Sequence, residues 1–269
     1  MSLEQWSKNE KIFWFLGIPL ILVLIYILPT SLKETYFILN KQAPSILSLF
    51  LSNYTHSELW HLATNLSSYL IVIYLIMQFE TNKSCFYKTM AFLFLVVPFI
   101  VSFITIMYAP AMNSQGFSGI VAGLMGYFIY ITYRHVKDTW KLNADINFVY
   151  LMVCANALIG VVGYWLTTNP AFAALLSVLL IGLIYYNRNL LKNIVIILRQ
   201  KNEELKIKRH GLVQAYVTFT FVLLVLFSLP SLIQVTVQNG SIINAIGHYI
   251  GYVAGLTFSL VFIETKFLK

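Results

Sequence analysis

TMAFLFLVVPFIVSFITIMY, residues 89–108, decides the fold class. Twenty residues pass without an Asp, Glu, Lys or Arg. A helix rises 1.5 Å per residue, so about 20 apolar residues cross the roughly 30 Å hydrocarbon core of a bilayer. Lys88 stands directly before the run and Pro110 just beyond it. Cations collect at one membrane face, and a helix stops easily at proline.

The whole chain shares this character. Of 269 residues, 59% are hydrophobic and 10% charged, and the mean hydropathy is +0.76. An ordinary soluble domain is roughly 45–50% apolar and about 25% charged. The gap excludes a soluble globular protein, a disordered chain and a nucleic-acid-binding domain. The formal charge of +8 therefore reads as membrane-face lysine and arginine rather than as a nucleic-acid footprint. Cys85 lies in a polar connection and Cys154 in an apolar run. Their different depths predict neither a disulfide nor a redox role.

Working outward from residues 89–108, further spans are expected at about 12–28, 59–79, 118–133, 148–166, 171–186, 212–229 and 242–263. The fold class is thus all-α, a polytopic membrane helix bundle of about eight spans in one domain, 1–269. The run after Lys8 and Lys11 is 17 residues long and has no small-residue cleavage pattern behind it, so it reads as a retained span. With a cytoplasmic N-terminus, 16 of the 18 basic residues fall on inside connections and only Lys33 and Lys41 fall outside. That asymmetry predicts N-in, C-in and an even number of spans.

Two connections stand out. Residues 29–55 contain an apolar stretch, Ile46 to Leu51, which reads either as a segment in the outer leaflet or as a structured loop. Residues 187–211 are basic and contain Ile194 to Leu198, the pattern of an interfacial helix on anionic lipid.

Ionisable residues inside a span are functional candidates. No Asp, Glu, Lys or Arg lies well inside a span; Glu58 and Glu80 bracket the second and Glu264 ends the last. This counts against a proton-coupled transporter or ion pump. What remains inside is His61, Asn65, Ser118, Asn156, Asn244 and His248, with His56 at the mouth. Ser118 and His248 each lie 16 residues from the inner end of their span, at Arg134 and Glu264. That places both ~24 Å above the inner face, with Asn65 at ~22 Å and His61 at ~28 Å. All four share one slab below the outer surface. His61 and Asn65, at i and i+4, also share a helix face.

Small residues allow two helices to meet. Ser118, Ala122 and Gly126 form one ridge, and Gly247, Gly251 and Gly255 another. If the ridges face each other, a neutral imidazole can take the proton of a serine hydroxyl, which then attacks a carbonyl. The oxyanion would need donors, and His61, Asn65 and the Ser118 N–H are at hand. Taken singly, each residue has a plainer reading: Ser118 as packing, His248 as an interhelical hydrogen bonder, His61 and Asn65 as a polar bridge. Asn156 and Asn244 read as packing or capping residues, and His135 and His210 flank basic loops. Only the four together, at one depth, point to chemistry.

The set resembles the rhomboid family of intramembrane serine proteases. His56-x4-His61-x3-Asn65 is similar to that family's second-span signature, Gly116-Phe117-Ser118-Gly119 to its Gly-x-Ser-Gly helix, and His248-x2-Gly251-x3-Gly255 to its last span. The resemblance implies a serine–histidine dyad cutting transmembrane segments of membrane proteins near the outer face, in a cell membrane, without metal or organic cofactor. Ser118 would be nucleophile and His248 general base. His61 and Asn65 would stabilise the oxyanion, and Gly116 would shape the turn before the serine. His56 would tether the outer loop, while Gly119, Gly251 and Gly255 would sit at the close helix contacts. The chain departs from the pattern in four ways: Ala122 stands where an aromatic often lies under the histidine, the outer loop lacks a Trp-Arg pair, Met77 stands where many members carry Glu, and a pair of spans is surplus to six. The alternatives are a catalytically inactive relative that binds membrane helices, and a transporter whose polar cluster is a binding site. Related halves would mark the last, and the sequence has none.

Overall fold

The computed structural model describes residues 3–40, 43–108, 115–164, 170–206, 237–238, 241–242 and 245–263. The expected span 212–229, Asn244, His210 and Glu264 lie outside them. The chain forms two compact units, one of Met1–Phe128 with Val235–Lys269 and the other of Ile129–Gln234.

The first unit begins with α1, Lys8–Tyr26. It starts four residues before the apolar run because Ser7 and Glu10 form a capping box, with Ser7 Oγ accepting the Glu10 N–H and Glu10 accepting the Ser7 N–H at 2.6 Å. A short helix α2, Ile46–Leu51, follows in the outer connection. Next come α3, Leu59–Phe79, and α4, Lys83–Met107. The last begins six residues before the expected boundary because Asn82 caps it, accepting the Cys85 N–H at 3.1 Å. Helix α5 is Ser118–Arg134.

The wide turns in α1 and α4 each have a local cause. Ile18 N–H reaches back five residues to Phe13, and Val97 N–H to Phe92. Pro19 and Pro98 follow directly. Proline has no N–H and its ring crowds the carbonyl four residues back, so the preceding turn opens.

In the second unit, α6 (Ile146–Tyr164) packs on α7 (Pro170–Tyr186), with Cys154 Sγ 3.6 Å from the Leu176 carbonyl. Asn156 turns back to its own helix and donates to Met152 O at 2.8 Å. Helix α8, Arg188–Lys206, leaves α7 at a bend of 68°. The first unit closes with α9, Ala245–Phe258, preceded by a two-residue antiparallel pairing of Val237 with Ile242 and Gln238 with Ser241.

Among the described residues α1, α3 and α4 are each long and apolar enough to cross a membrane, and α7 with the start of α8 qualifies together as a bent pair. The chain is therefore a helical membrane protein with three or four spans visible from helix length and composition. Helices α5 and α9, at 17 and 14 residues, are too short to declare themselves that way.

Helix α5 runs on to Arg134 in the second unit; in the first unit every residue of α5 from Gly119 to Phe128 is buried. Phe117, just before it, packs on Tyr54, Tyr69 and Phe94 with centroids 5.7–5.8 Å apart. The N-terminal segment clasps the other end of this unit. Trp6 Nε1 donates to Met77 O at 2.6 Å, Gln5 to Glu80 O at 2.5 Å, and Lys83 pairs with Glu10 at 2.8 Å. Glu80 does more than bracket its span. It is 2% exposed and accepts from Tyr127 of α5 at 2.6 Å and from the Asn82 N–H at 2.7 Å. A buried carboxylate that loses a donor costs about 1–3 kcal/mol. Tyr127→Phe should lower thermal stability in detergent by that amount, and an unshifted melting temperature would contradict the role given to the Glu80 network.

Candidate active site

Four elements of the first unit, the outer connection, α3, the start of α5 and α9, bring the polar residues together. The outer connection docks first. Ser45 caps α2 by accepting the Ser48 N–H at 3.0 Å, and Asn53 follows the helix into a buried bracket. Asn53 Nδ2 donates to Pro98 O at 3.1 Å and to Ser102 Oγ at 2.9 Å, both on α4. Ile46 and Leu47 stay exposed, so the short helix α2 has an apolar outer face, which both readings of this stretch accommodate. The Gly116 N–H donates to Ser52 O at 2.9 Å, which ties this loop to the backbone just before Ser118. The bracket was missed in sequence, where only the polar pair Ser52-Asn53 at the end of an apolar run signals it.

His56 is the second tie. Its Nε2 accepts the Phe117 N–H at 3.3 Å and lies 2.9 Å from Asn65 Nδ2. Because a backbone N–H can only donate, Nε2 carries the lone pair and Nδ1 the proton. The ring is 1% exposed, and Nδ1 has no hydrogen-bond partner among the described residues. Burial, and next the charge His61 would carry, lower the His56 pKa from 6.5 to about 3. The folded protein thus binds this proton less readily than the unfolded chain does, so stability falls as pH drops through 6.5 toward 3. Between pH 7 and 5 the loss should be about 2 kcal/mol. Thermal melts at the two pH values measure it; the acid sensitivity should shrink in His56→Gln, and an equal sensitivity would contradict the assignment.

His61 stands edge-on to His56, with centroids 5.0 Å apart. Gly116 lies against it at φ 134°, a backbone conformation that side chains resist. A Cβ there would sit 2.9 Å from His61 Cε1, 3.4 Å from His61 Nε2 and 3.8 Å from Ser118 Oγ. The missing side chain keeps open a space flanked by the imidazole and the hydroxyl. Asn65, expected to face the same space, has its amide nitrogen 2.9 Å from His56 Nε2, which engages one of its two hydrogens.

Ser118 opens α5, where first-turn N–H groups lack helical partners. Its Oγ lies 2.6 Å from His248 Nε2 on α9. His248 is 6% exposed, while Ser118 is half-buried. At this distance an imidazole holding its other proton accepts the hydroxyl hydrogen and can take it fully when oxygen attacks. Among the described residues no three His, Cys, Asp or Glu side chains converge as a metal site.

The expected ridge Ser118, Ala122 and Gly126 gains two glycines at its contact with α9. Gly119, Gly123 and Gly126 of α5 approach the α9 backbone, and Ser118 reaches His248 on the same helix. A Cβ on Gly251 would overlap the Gly119 carbonyl oxygen, one on Gly255 that of Gly123, and one on Gly126 that of Tyr252. The glycine line permits closer backbones than a serine–alanine line, and Ser118 is left to turn toward His248.

Residues 43–192 match the sequence profile of the family described as Rhomboid domain. The matched region contains His56, His61, Asn65, Gly116, Ser118 and Gly119; α9, with His248, Gly251 and Gly255, follows it. No curated protein and no solved structure matches the chain. With more than half of the 269 residues matched, the chain belongs to the rhomboid family.

Proposed function

We propose that this protein is an intramembrane serine endopeptidase that cleaves transmembrane segments of other membrane proteins with a Ser118–His248 dyad. The observation that carries the reading is the 2.6 Å approach of Ser118 Oγ to His248 Nε2 across 130 residues of sequence. Family membership supports it, since rhomboid proteins are typically serine proteases of membrane segments.

In the proposed reaction Ser118 Oγ attacks a substrate carbonyl carbon as its proton passes to His248 Nε2. The oxyanion forms beside Gly116, where His61 and the Ser118 N–H supply donors. An amide nitrogen carries two hydrogens, so Asn65 donates one to His56 and keeps one for the oxyanion. His248 returns its proton to the leaving amine as the C–N bond breaks. Water then attacks the acyl ester, gives its proton to His248, and Ser118 leaves with that proton restored. His56 holds the loop, and Gly251 and Gly255 hold the register of the dyad. The full arrangement is read as one domain of eight spans, N-in and C-in, in a cell membrane, with the dyad below the outer surface. No metal or organic cofactor takes part.

Local unwinding of the substrate exposes its carbonyl, so segments with Gly, Ser, Ala or Pro near the scissile bond are favoured. Reconstitution with a reporter membrane helix tests the proposal. Wild type should cleave it and Ser118→Ala should not. No cleavage by wild type would favour the inactive helix-binding reading, and cleavage surviving the substitution would remove Ser118 from the chemistry.

A further inference from the structure

We infer that α8 is a docking surface for acidic phospholipid headgroups, lying along the bilayer rather than continuing α7 through it. The inference stands on the second compact unit and does not rest on the peptidase reading.

The bend that frees α8 is a built feature. Asn187, at the corner, is buried; its Nδ2 donates to Leu183 O at 2.9 Å and to Asn147 O at 3.4 Å. Tyr186 Oη reaches Asp145 at 3.2 Å. The corner of α7 and α8 is therefore fastened to the start of α6. A helix leaving at 68° a span tilted by about 20° lies roughly 48–88° from the membrane normal, nearer to the plane than to the normal throughout that range.

The two faces of α8 differ. Leu190, Ile194 and Ile197, spaced at three and four residues, are buried or half-buried. The other face is exposed and mixed: Arg188, Lys192 and Arg199 fall within about 40° of one another on the helical wheel, with exposed Val195 on one flank and Ile196 on the other. Arg188 lies over the Tyr185 ring at 4.2 Å. Between Arg188 and Arg199 the chain has no Asp or Glu. A stripe of cations flanked by exposed aliphatic side chains matches an acidic lipid surface, where methyl groups enter the acyl boundary and the long basic stems reach headgroups. An acidic soluble protein would satisfy the cations but leave Val195 and Ile196 without their environment.

The full-length protein, with Cys85 and Cys154 replaced by Ala, is labelled at Val195→Cys with an environment-sensitive fluorophore. It is reconstituted into vesicles of phosphatidylcholine alone or with 30 mol% phosphatidylglycerol, the proportion being a choice of probe on the order of biological anionic content. The neutral quencher acrylamide reports exposure, and lipids brominated at known depths report immersion. Three headgroup contacts should shift the balance of docked over free helix on the order of a hundredfold. The expected result is protection from acrylamide and shallow-bromine quenching that appear with phosphatidylglycerol and disappear in the Arg188→Gln/Lys192→Gln/Arg199→Gln variant. Equal acrylamide access in both lipids overturns the inference. So does quenching by bromines at the bilayer centre, which would make α8 the second half of a broken span. Protection that survives the triple variant overturns it as well.

Discussion

Gly251→Ala should cost at least about a hundredfold in reporter cleavage. The added methyl would overlap the carbonyl oxygen of Gly119, a backbone atom with no rotamer to yield. Helices α5 and α9 must therefore part, and they carry Ser118 and His248, whose polar atoms sit 2.6 Å apart. A misplacement of about 1 Å at reacting groups is worth roughly 10²-fold in rate. Overpacking of this kind also costs about 1–3 kcal/mol of stability, so the melting temperature is measured alongside and cleavage is compared at a temperature where both proteins are folded. Gly182→Ala is the control, since a Cβ there meets nothing within 4 Å. It should leave cleavage unchanged. If Gly251→Ala matched the control, helix contact would not be what sets the dyad.

The second large effect concerns the dyad as a unit. Ser118→Ala and His248→Ala should each lower cleavage by roughly 10⁴ or more, and the double variant should fall no further, because groups in one proton-transfer unit are not additive. A double variant lower by the product of both losses would mean two independent contributions. His248→Ala retaining most of the activity would mean that another base serves Ser118. Ala122 sharpens this test. It is buried four residues after Ser118, so a methyl group rather than a ring fills that turn of α5, and the bond to Ser118 is one of the contacts that orient His248.

Much of the site was within reach of sequence because membrane helices convert residue number into depth. Ser118 and His248 each stand 16 residues from a charged inner marker, which puts them at one level whatever their separation along the chain. The glycines near them announced a close contact, yet not which backbones touch. Ser118 and Gly119 lie 100° apart on the helical wheel, and both meet α9, one through its hydroxyl and the other through its carbonyl oxygen. The Asn65 orientation was not legible for a different reason. Spacing puts it on the His61 face, but its partner His56 comes from a loop, and loop geometry has no period to read. Sequence alone puts Glu80 at the edge of a span, because a carboxylate in an apolar protein normally seeks water. The structure satisfies it with Tyr127 and the Asn82 N–H instead, nine residues down α5 from Ser118. Helix starts at Lys8 and Lys83 precede the apolar runs because the caps Ser7 and Asn82, not hydropathy, end the fraying. Helices α5 and α9 were legible as apolar runs, but their burial was not: α5 is buried from Gly119 to Tyr133, whereas α9 buries one face and leaves Tyr249 and Val253 exposed.

A serine-directed fluorophosphonate gives the most direct measurement of whether Ser118 and His248 act together. The full-length protein is treated in vesicles, digested, and the adduct is located by mass spectrometry. A nucleophile activated by its imidazole should carry the phosphonyl group on Ser118 and acquire it at least about a hundredfold faster than in His248→Gln, since general-base assistance is typically worth 10²–10⁴-fold. Adduct formation on a different residue, or at the same rate in both proteins, would contradict the account.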